Sequence, residues 1–100
     1  MAQTFSEIIR DSKPVLVDFY SDWCAPCRMM KPILEELKQK IGNDANIIKV
    51  DVDQNPAAAE IYDVAAIPTL MIFKNGDIKW RQAGAATVNQ LMQQLNNYKQ

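Results

Sequence analysis

The sequence predicts an α/β sandwich, a mixed central sheet of about four strands lying between helices. Three observations carry that prediction. Val15-Leu16-Val17-Asp18-Phe19-Tyr20 is β-branched and aromatic with almost no alternation, the pattern of a central strand covered on both faces. From Cys24 onward Met30, Ile33, Leu34, Leu37 and Ile41 recur at helical spacing and stop at Gly42. Thr69 to Lys74 and Ile78 to Ala83 are two more strand-like runs, joined by Asn75-Gly76, a dipeptide suited to a two-residue turn with positive φ at both positions. Strand, helix, strand with a right-handed crossover, then a hairpin and a covering helix, closes into one sheet sandwiched between helices.

The remaining elements follow in order. Thr4 with Glu7 three residues on makes a capping box, and Phe5, Ile8 and Ile9 give an apolar face, so a short helix is expected from about Phe5 to Asp11. Lys13-Pro14 ends it. Inside the long helix Pro32 removes one backbone hydrogen bond and should kink the chain near Arg28 and Met29. Asn46-Ile47-Ile48-Lys49-Val50-Asp51 reads as a second strand, and Asn55-Pro56 as the cap and first residue of a helix reaching about Tyr62. Thr87 caps the last helix with Gln90 in the capping-box position, and Val88, Leu91, Met92 and Leu95 form its buried stripe.

Composition narrows what such a chain can do. One hundred residues suit one domain spanning 1–100, and Leu, Ile, Val and Phe make up a quarter of them, enough for a core. The net charge of -1 offers no large positive field for nucleic acid or an anionic membrane. No stretch approaches the about 18 to 20 apolar residues of a bilayer span, and the first residues lack a basic region followed by an apolar run, so a soluble, cytoplasmic protein is expected. Histidine is absent, which removes the commonest general base and metal ligand. Proton transfer near neutral pH then falls to a perturbed carboxylate, thiol or lysine.

The two cysteines, Cys24 and Cys27, are the chemical centre of the sequence. They fall just after the first strand, at the carboxyl end of a parallel pair where α/β sheets favour a site. Both lie within one turn at a helix start, where backbone N–H groups and the helix dipole favour a thiolate. Pro26 fits an early helical position and stiffens the short loop, so that the sulfurs can come into bonding distance. In this geometry Cys24 is the exposed nucleophile, and Cys27, a turn inward, resolves the mixed disulfide. Three other readings compete: a zinc half-site, for which no further histidine or cysteine exists, a structural disulfide closing a very small loop, and two inert core thiols.

Taken together, Val15-Leu16-Val17-Asp18-Phe19, Trp23-Cys24-Ala25-Pro26-Cys27, Pro32, Lys49 with Asp51 and Asp53, Ile67-Pro68-Thr69, Lys74-Asn75-Gly76 and Gly84 give the chain a resemblance to the thioredoxin family over nearly its whole length. The resemblance implies a thioredoxin fold and a general protein-disulfide reductase that shuttles two electrons. It implies no bound prosthetic group or metal, electrons from NADPH through a flavin-dependent thioredoxin reductase, and disulfide-containing protein substrates as partners of a monomer. Thioredoxins usually carry Gly where this chain has Ala25, often Trp where it has Tyr20, and an extra N-terminal strand without a counterpart here. The first departure bears on redox poise and leaves a disulfide oxidase or isomerase as an alternative, with a redox-switched binding subunit as another. The last implies a four-stranded sheet.

The resemblance also assigns supporting roles. Burial of Asp18 in an apolar strand should raise its pKa and make it a proton acceptor near neutrality. The family has such an aspartate deprotonate the residue at Cys27. The competing reading is a carboxylate that satisfies backbone donors. Lys49 matches a lysine that neighbours that aspartate, whereas by itself it reads as a solvated guard on an edge strand. Pro68, which alone would be expected trans, matches a cis proline that brings the chain beside the reactive sulfur and lets Ile67 pair main chain to main chain with an extended substrate. Trp23, Ala25, Pro26, Ile67, Pro68 and Gly84 would form a shallow apolar substrate groove, with the Trp23 indole bonded to Asp53.

Overall fold

The computed structural model describes residues 3–99. Its elements in chain order are α1 (Phe5–Ile8), β1 (Val15–Tyr20), α2 (Ala25–Ile41), β2 (Asn46–Asp51), α3 (Pro56–Ile61), β3 (Thr69–Lys74), β4 (Asp77–Ala83) and α4 (Val88–Tyr98), with a single 3-10 turn at Gly42–Asp44. The four strands form one mixed sheet in the order β2-β1-β3-β4. β1 pairs parallel with β2, from Val15 opposite Asn46 to Tyr20 opposite Asp51, and antiparallel with β3, which pairs antiparallel with β4.

The unalternating β1 run is explained by this topology. Val15, Val17 and Phe19 point to one face, where they pack with Ile9, Val50, Met71 and Phe73 beneath α1 and α3. Leu16 points to the other, among Met30, Leu34, Leu37 and Ile41 of α2 and Leu91 and Leu95 of α4. Each fully buried side chain of this size contributes roughly 1.5–3 kcal/mol relative to exposure, so the central strand anchors both halves of the core.

Local signals set most boundaries. Both capping boxes form, at Thr4 with Glu7 and at Thr87 with Gln90. α2 runs from Ala25 through Pro32 to Ile41 and closes at Gly42, whose φ of 56° suits a residue without Cβ. Asn75 and Gly76 take φ of 54° and 86°, the turn expected of this pair.

One boundary and one cap differ from expectation, while α3 ends where expected. α1 stops at Ile8 rather than near Asp11: the Arg10 and Asp11 N–H groups bond to the Glu7 and Ile8 carbonyls, three residues back instead of four, and the Ile9 and Asp11 carbonyls take the N–H groups of Gly76 and Asn75 from the hairpin turn. α3 stops at Ile61, with Tyr62 and then Asp63 at φ 55° closing it. Asn55 occupies the N-cap position of α3, yet its side chain donates to the Asp51 carbonyl at 3.0 Å instead of capping the helix.

Candidate active site

The carboxyl end of β1 leads through Ser21, Asp22 and Trp23 into the first turn of α2, and this short loop places the cysteines. Cys24 is the N-cap residue, where a Ser, Thr or Asp oxygen would ordinarily accept a backbone proton. Its Sγ takes that role, receiving the N–H of Cys27 at 3.2 Å. Pro26 costs the turn nothing, because an N–H at that position would have no partner inside the helix.

Cys24 and Cys27 are joined as a disulfide with their Cα atoms 5.2 Å apart. The bond answers the reading of two inert core thiols. Cys24 is less open than a freely exposed nucleophile, at 5 % accessibility against 2 % for Cys27, since the loop before β3 closes over it. The Ile67 carbonyl lies 3.7 Å from Cys24 Sγ, a separation at which the reduced thiol can donate and the oxidised sulfur is in contact. The Ile67–Pro68 peptide bond is cis, and the Pro68 carbonyl accepts the N–H of Gly84 at 2.7 Å. Gly84 has φ 92°, and a Cβ there would meet no atom within 4 Å, so its need for glycine is set by backbone conformation.

Around the sulfur the surface is apolar and partly open. Trp23 is 70 % accessible, Ala25 and Pro26 are exposed, and Ile67 and Gly84 are half-buried, while Pro68 is buried. The Trp23 indole donates to Asp53 Oδ2 at 3.0 Å, the pairing the resemblance implied. Ser21, which the sequence reading did not single out, is buried and donates to the same Asp53 oxygen at 3.0 Å. One carboxylate thus holds both ends of the Ser21–Trp23 segment, so the aromatic ring is exposed but fixed. No short-range rule relates position 21 to position 53, which is why Ser21 was missed.

Asp18 shares with Leu16 the face of β1 covered by α2, and it is fully buried. Neither carboxyl oxygen has a hydrogen-bond partner among the described residues, so the reading of a carboxylate that satisfies backbone donors is overturned. Unpartnered polar atoms at full burial are rare and costly in folded proteins. Burial pushes the Asp18 pKa from 3.8 up to about 6, and the positive charge of Lys49 pulls the other way. Lys49 is opposite Asp18 in the β1/β2 register, is exposed on an edge strand, and sits 4.4 Å above the Tyr20 ring. The edge-guard position and the electrostatic partnership with Asp18 therefore coexist. A cleft lined by Tyr20, Ser21, Cys27, Lys31 and Lys49 opens beside the inner cysteine. Among the described residues no group of three or more His, Cys, Asp or Glu could hold a metal ion.

What the arrangement can do is thiol chemistry. A helix N-terminus stabilises negative charge on one sulfur, a second sulfur lies within bonding distance, and a carboxyl poised near pH 6 lies on the sheet face beneath the same helix.

Comparisons with known proteins agree with this geometry. The family model described as Thioredoxin matches residues 1–97. Thioredoxin 1 of Chlorobaculum tepidum is 44 % identical over 96 residues, covering 95 % of each chain. Thioredoxin Y, a chloroplastic protein of Oryza sativa subsp. japonica, is 44 % identical over 95 residues, which are 94 % of this chain and 56 % of that one. Among solved structures, a mutant thioredoxin from Halobacterium salinarum superposes with a TM-score of 0.88 at 36 % identity, covering 99 % of this chain and 87 % of its own.

Proposed function

The chain belongs to the thioredoxin family and is a thiol-disulfide oxidoreductase, and from that premise we propose a protein-disulfide reductase in which Cys24 attacks and Cys27 resolves. In the reduced protein the Cys24 thiolate attacks one sulfur of a target disulfide, forming a mixed disulfide and expelling the other target sulfur as a thiolate that takes up a proton. Cys27 passes its proton to the Asp18 carboxylate and attacks Cys24 Sγ. That step releases the second target thiolate and leaves the Cys24–Cys27 disulfide, so two electrons have moved from the protein to the target.

The observation that carries this reading is Cys24 at the N-cap, its sulfur 3.2 Å from the Cys27 amide and 3.7 Å from the Ile67 carbonyl. The first contact favours Cys24 as the thiolate. The second gives an extended target a main-chain acceptor beside it, with Trp23, Ala25, Pro26, Pro68 and Gly84 as the surrounding surface. Lys49 tunes the proton affinity of Asp18 through its charge. Ala25 is exposed in the first helical turn, so its methyl group adds to the contact surface without crowding the loop.

In this reading the chain is a single-domain monomer of the cytoplasm, binds no cofactor, and is regenerated by NADPH through a thioredoxin reductase. No helix among the described residues is long and apolar enough to cross a membrane. The test is turnover of a protein disulfide with NADPH and a thioredoxin reductase. Cys24→Ser should abolish it, and Cys27→Ser should accumulate a covalent adduct with the target; an adduct trapped by Cys24→Ser instead would reverse the two roles. Redox equilibration of the cysteine pair against a dithiol buffer separates the alternatives. A potential near the roughly -270 mV typical of thioredoxin itself supports the reductase, and one tens of millivolts higher points to an oxidase or isomerase.

A further inference from the structure

The two edges of the sheet are defended differently. β4 carries Asp77, Lys79 and Arg81 along its length, and its pairing with β3 shifts register between Ile72 and Phe73. Charges and a register irregularity both discourage another strand from adding there. β2 carries Lys49 and, at its last position, Asp51, and keeps an unbroken six-residue register with β1, its single neighbour in the sheet. Asn46 and Val52 give their N–H groups to the carbonyls of Pro14 and Tyr20 on the β1 side. Successive residues of a strand direct their backbone groups to opposite sides, so Ile47 and Lys49 turn both N–H and C=O outward.

Each face of this open edge carries a groove. On the α2 side Lys31, Lys38 and Lys49 surround a floor of Leu34 and Ile47, with Glu35 the one carboxylate in the lining. On the opposite side Phe5, Ile8, Ile48, Val50 and Ala58 line a second groove that is mostly apolar. An added strand points alternate side chains to the two faces. We propose that the β2 edge is a docking site for an extended segment of another protein in which acidic and apolar residues alternate. Its backbone pairs with Ile47 and Lys49, its acidic side chains stand among the three lysines, and its apolar side chains enter the second groove. Charge selects the occupant: Lys38 donates to the Gly42 carbonyl and Lys49 lies over the Tyr20 ring, but among the described residues none of the three ammonium groups is neutralised by an ion pair. β1 separates this edge from the β3 end that carries Ile67, and although Lys31 and Lys49 also border the cleft beside Cys27, pairing at the edge needs no turnover of the cysteine pair.

The test is titration of the 15N-labelled protein with a synthetic eight-residue peptide alternating glutamate and valine, beside one with the same residues arranged in two blocks. The alternating peptide is expected to protect the Ile47 and Lys49 amides from hydrogen exchange and to bind about tenfold more tightly than the blocked one, with affinity falling as salt rises. Lys38→Gln, away from the cleft beside Cys27, should weaken binding about threefold while leaving the reaction with a small neutral disulfide unchanged. Equal binding of the two peptides, protection confined to other residues, or unchanged affinity in the Lys38 variant would overturn the proposal. A dimer in sedimentation whose Ile47 and Lys49 amides are already protected would also overturn it, by assigning the edge to a second copy of this chain.

Discussion

Asp18 and Phe19 are neighbours on β1 and point to opposite faces of the same sheet, and the two faces are built on different terms. On the Phe19 side, the rings of Phe5, Phe19, Tyr62 and Phe73 meet with centroids 5.3 to 6.3 Å apart, mostly edge to face, in a core without a buried charge. On the Asp18 side, an equally apolar layer is interrupted by a carboxyl group with no hydrogen-bond partner among the described residues. The first face holds the protein together, and the second gives up stability beneath the helix that begins at the cysteines. A carboxyl group left without a partner at full burial, on the face covered by the helix that starts at the cysteines, is the feature on which the proposed proton transfer rests.

Substitutions sharpen that contrast, beginning with the largest effect. Phe19→Ala should lower unfolding stability by about 3–5 kcal/mol, through lost burial and the cavity left in the aromatic cluster. Denaturant titration reads it, and a loss under about 1 kcal/mol would mean that the ring cluster is not the anchor described here. Asp18→Asn, one residue away, should have the opposite sign. Because the folded state holds the Asp18 proton more tightly than the unfolded chain, with a pKa of about 6 against 3.8, this group destabilises the protein as pH rises from about 4 through 6. Asp18→Asn should therefore gain up to about 3 kcal/mol above pH 6 and little below pH 4. The same substitution should slow decay of the mixed disulfide, and an unchanged decay rate would remove Asp18 from the proton transfer.

Two smaller effects test the loop and the edge. Asp53→Ala removes the acceptor shared by Ser21 and Trp23 and should cost about 1 kcal/mol. The indole N–H of Trp23 should then exchange faster, and the KM for a protein substrate should rise; an indole still protected would show that packing, not Asp53, fixes the ring. Lys49→Met removes the charge that opposes the upward shift of Asp18, so the pH dependence of Cys27 reactivity should move to higher pH. Burial is the larger cause, which makes this the smallest of the four changes. No movement of that profile would confine Lys49 to guarding the strand edge.

Much of this molecule was legible from short-range rules. The β1, β2 and β3 boundaries, the Asn75-Gly76 turn, both capping boxes and the Gly42 stop depend on residues within a few positions of one another, where propensity and capping act. The errors arise where another partner, near or distant, overrides the local pattern. α1 was expected to be longer because its apolar periodicity continues to Ile9, but the Arg10 and Asp11 N–H groups bond three residues back and the hairpin turn docks on the Ile9 and Asp11 carbonyls. Asn55 was expected to cap α3, and a nearby carbonyl of β2 took its side chain. Ser21 was passed over because its partner is 32 residues away.

The sequence by itself determined that two thiols stand at the start of a helix, since Cys24, Pro26 and Cys27 lie within one turn and local geometry places them. Tertiary structure decided what surrounds them. It brought the Ile67 carbonyl, 43 positions along the chain, to 3.7 Å from Cys24, and it covered Asp18 with a helix that offers it no hydrogen bond. Whether a buried carboxyl is satisfied, and which backbone borders a sulfur, depends on the packing of several elements at once, and no local pattern records that.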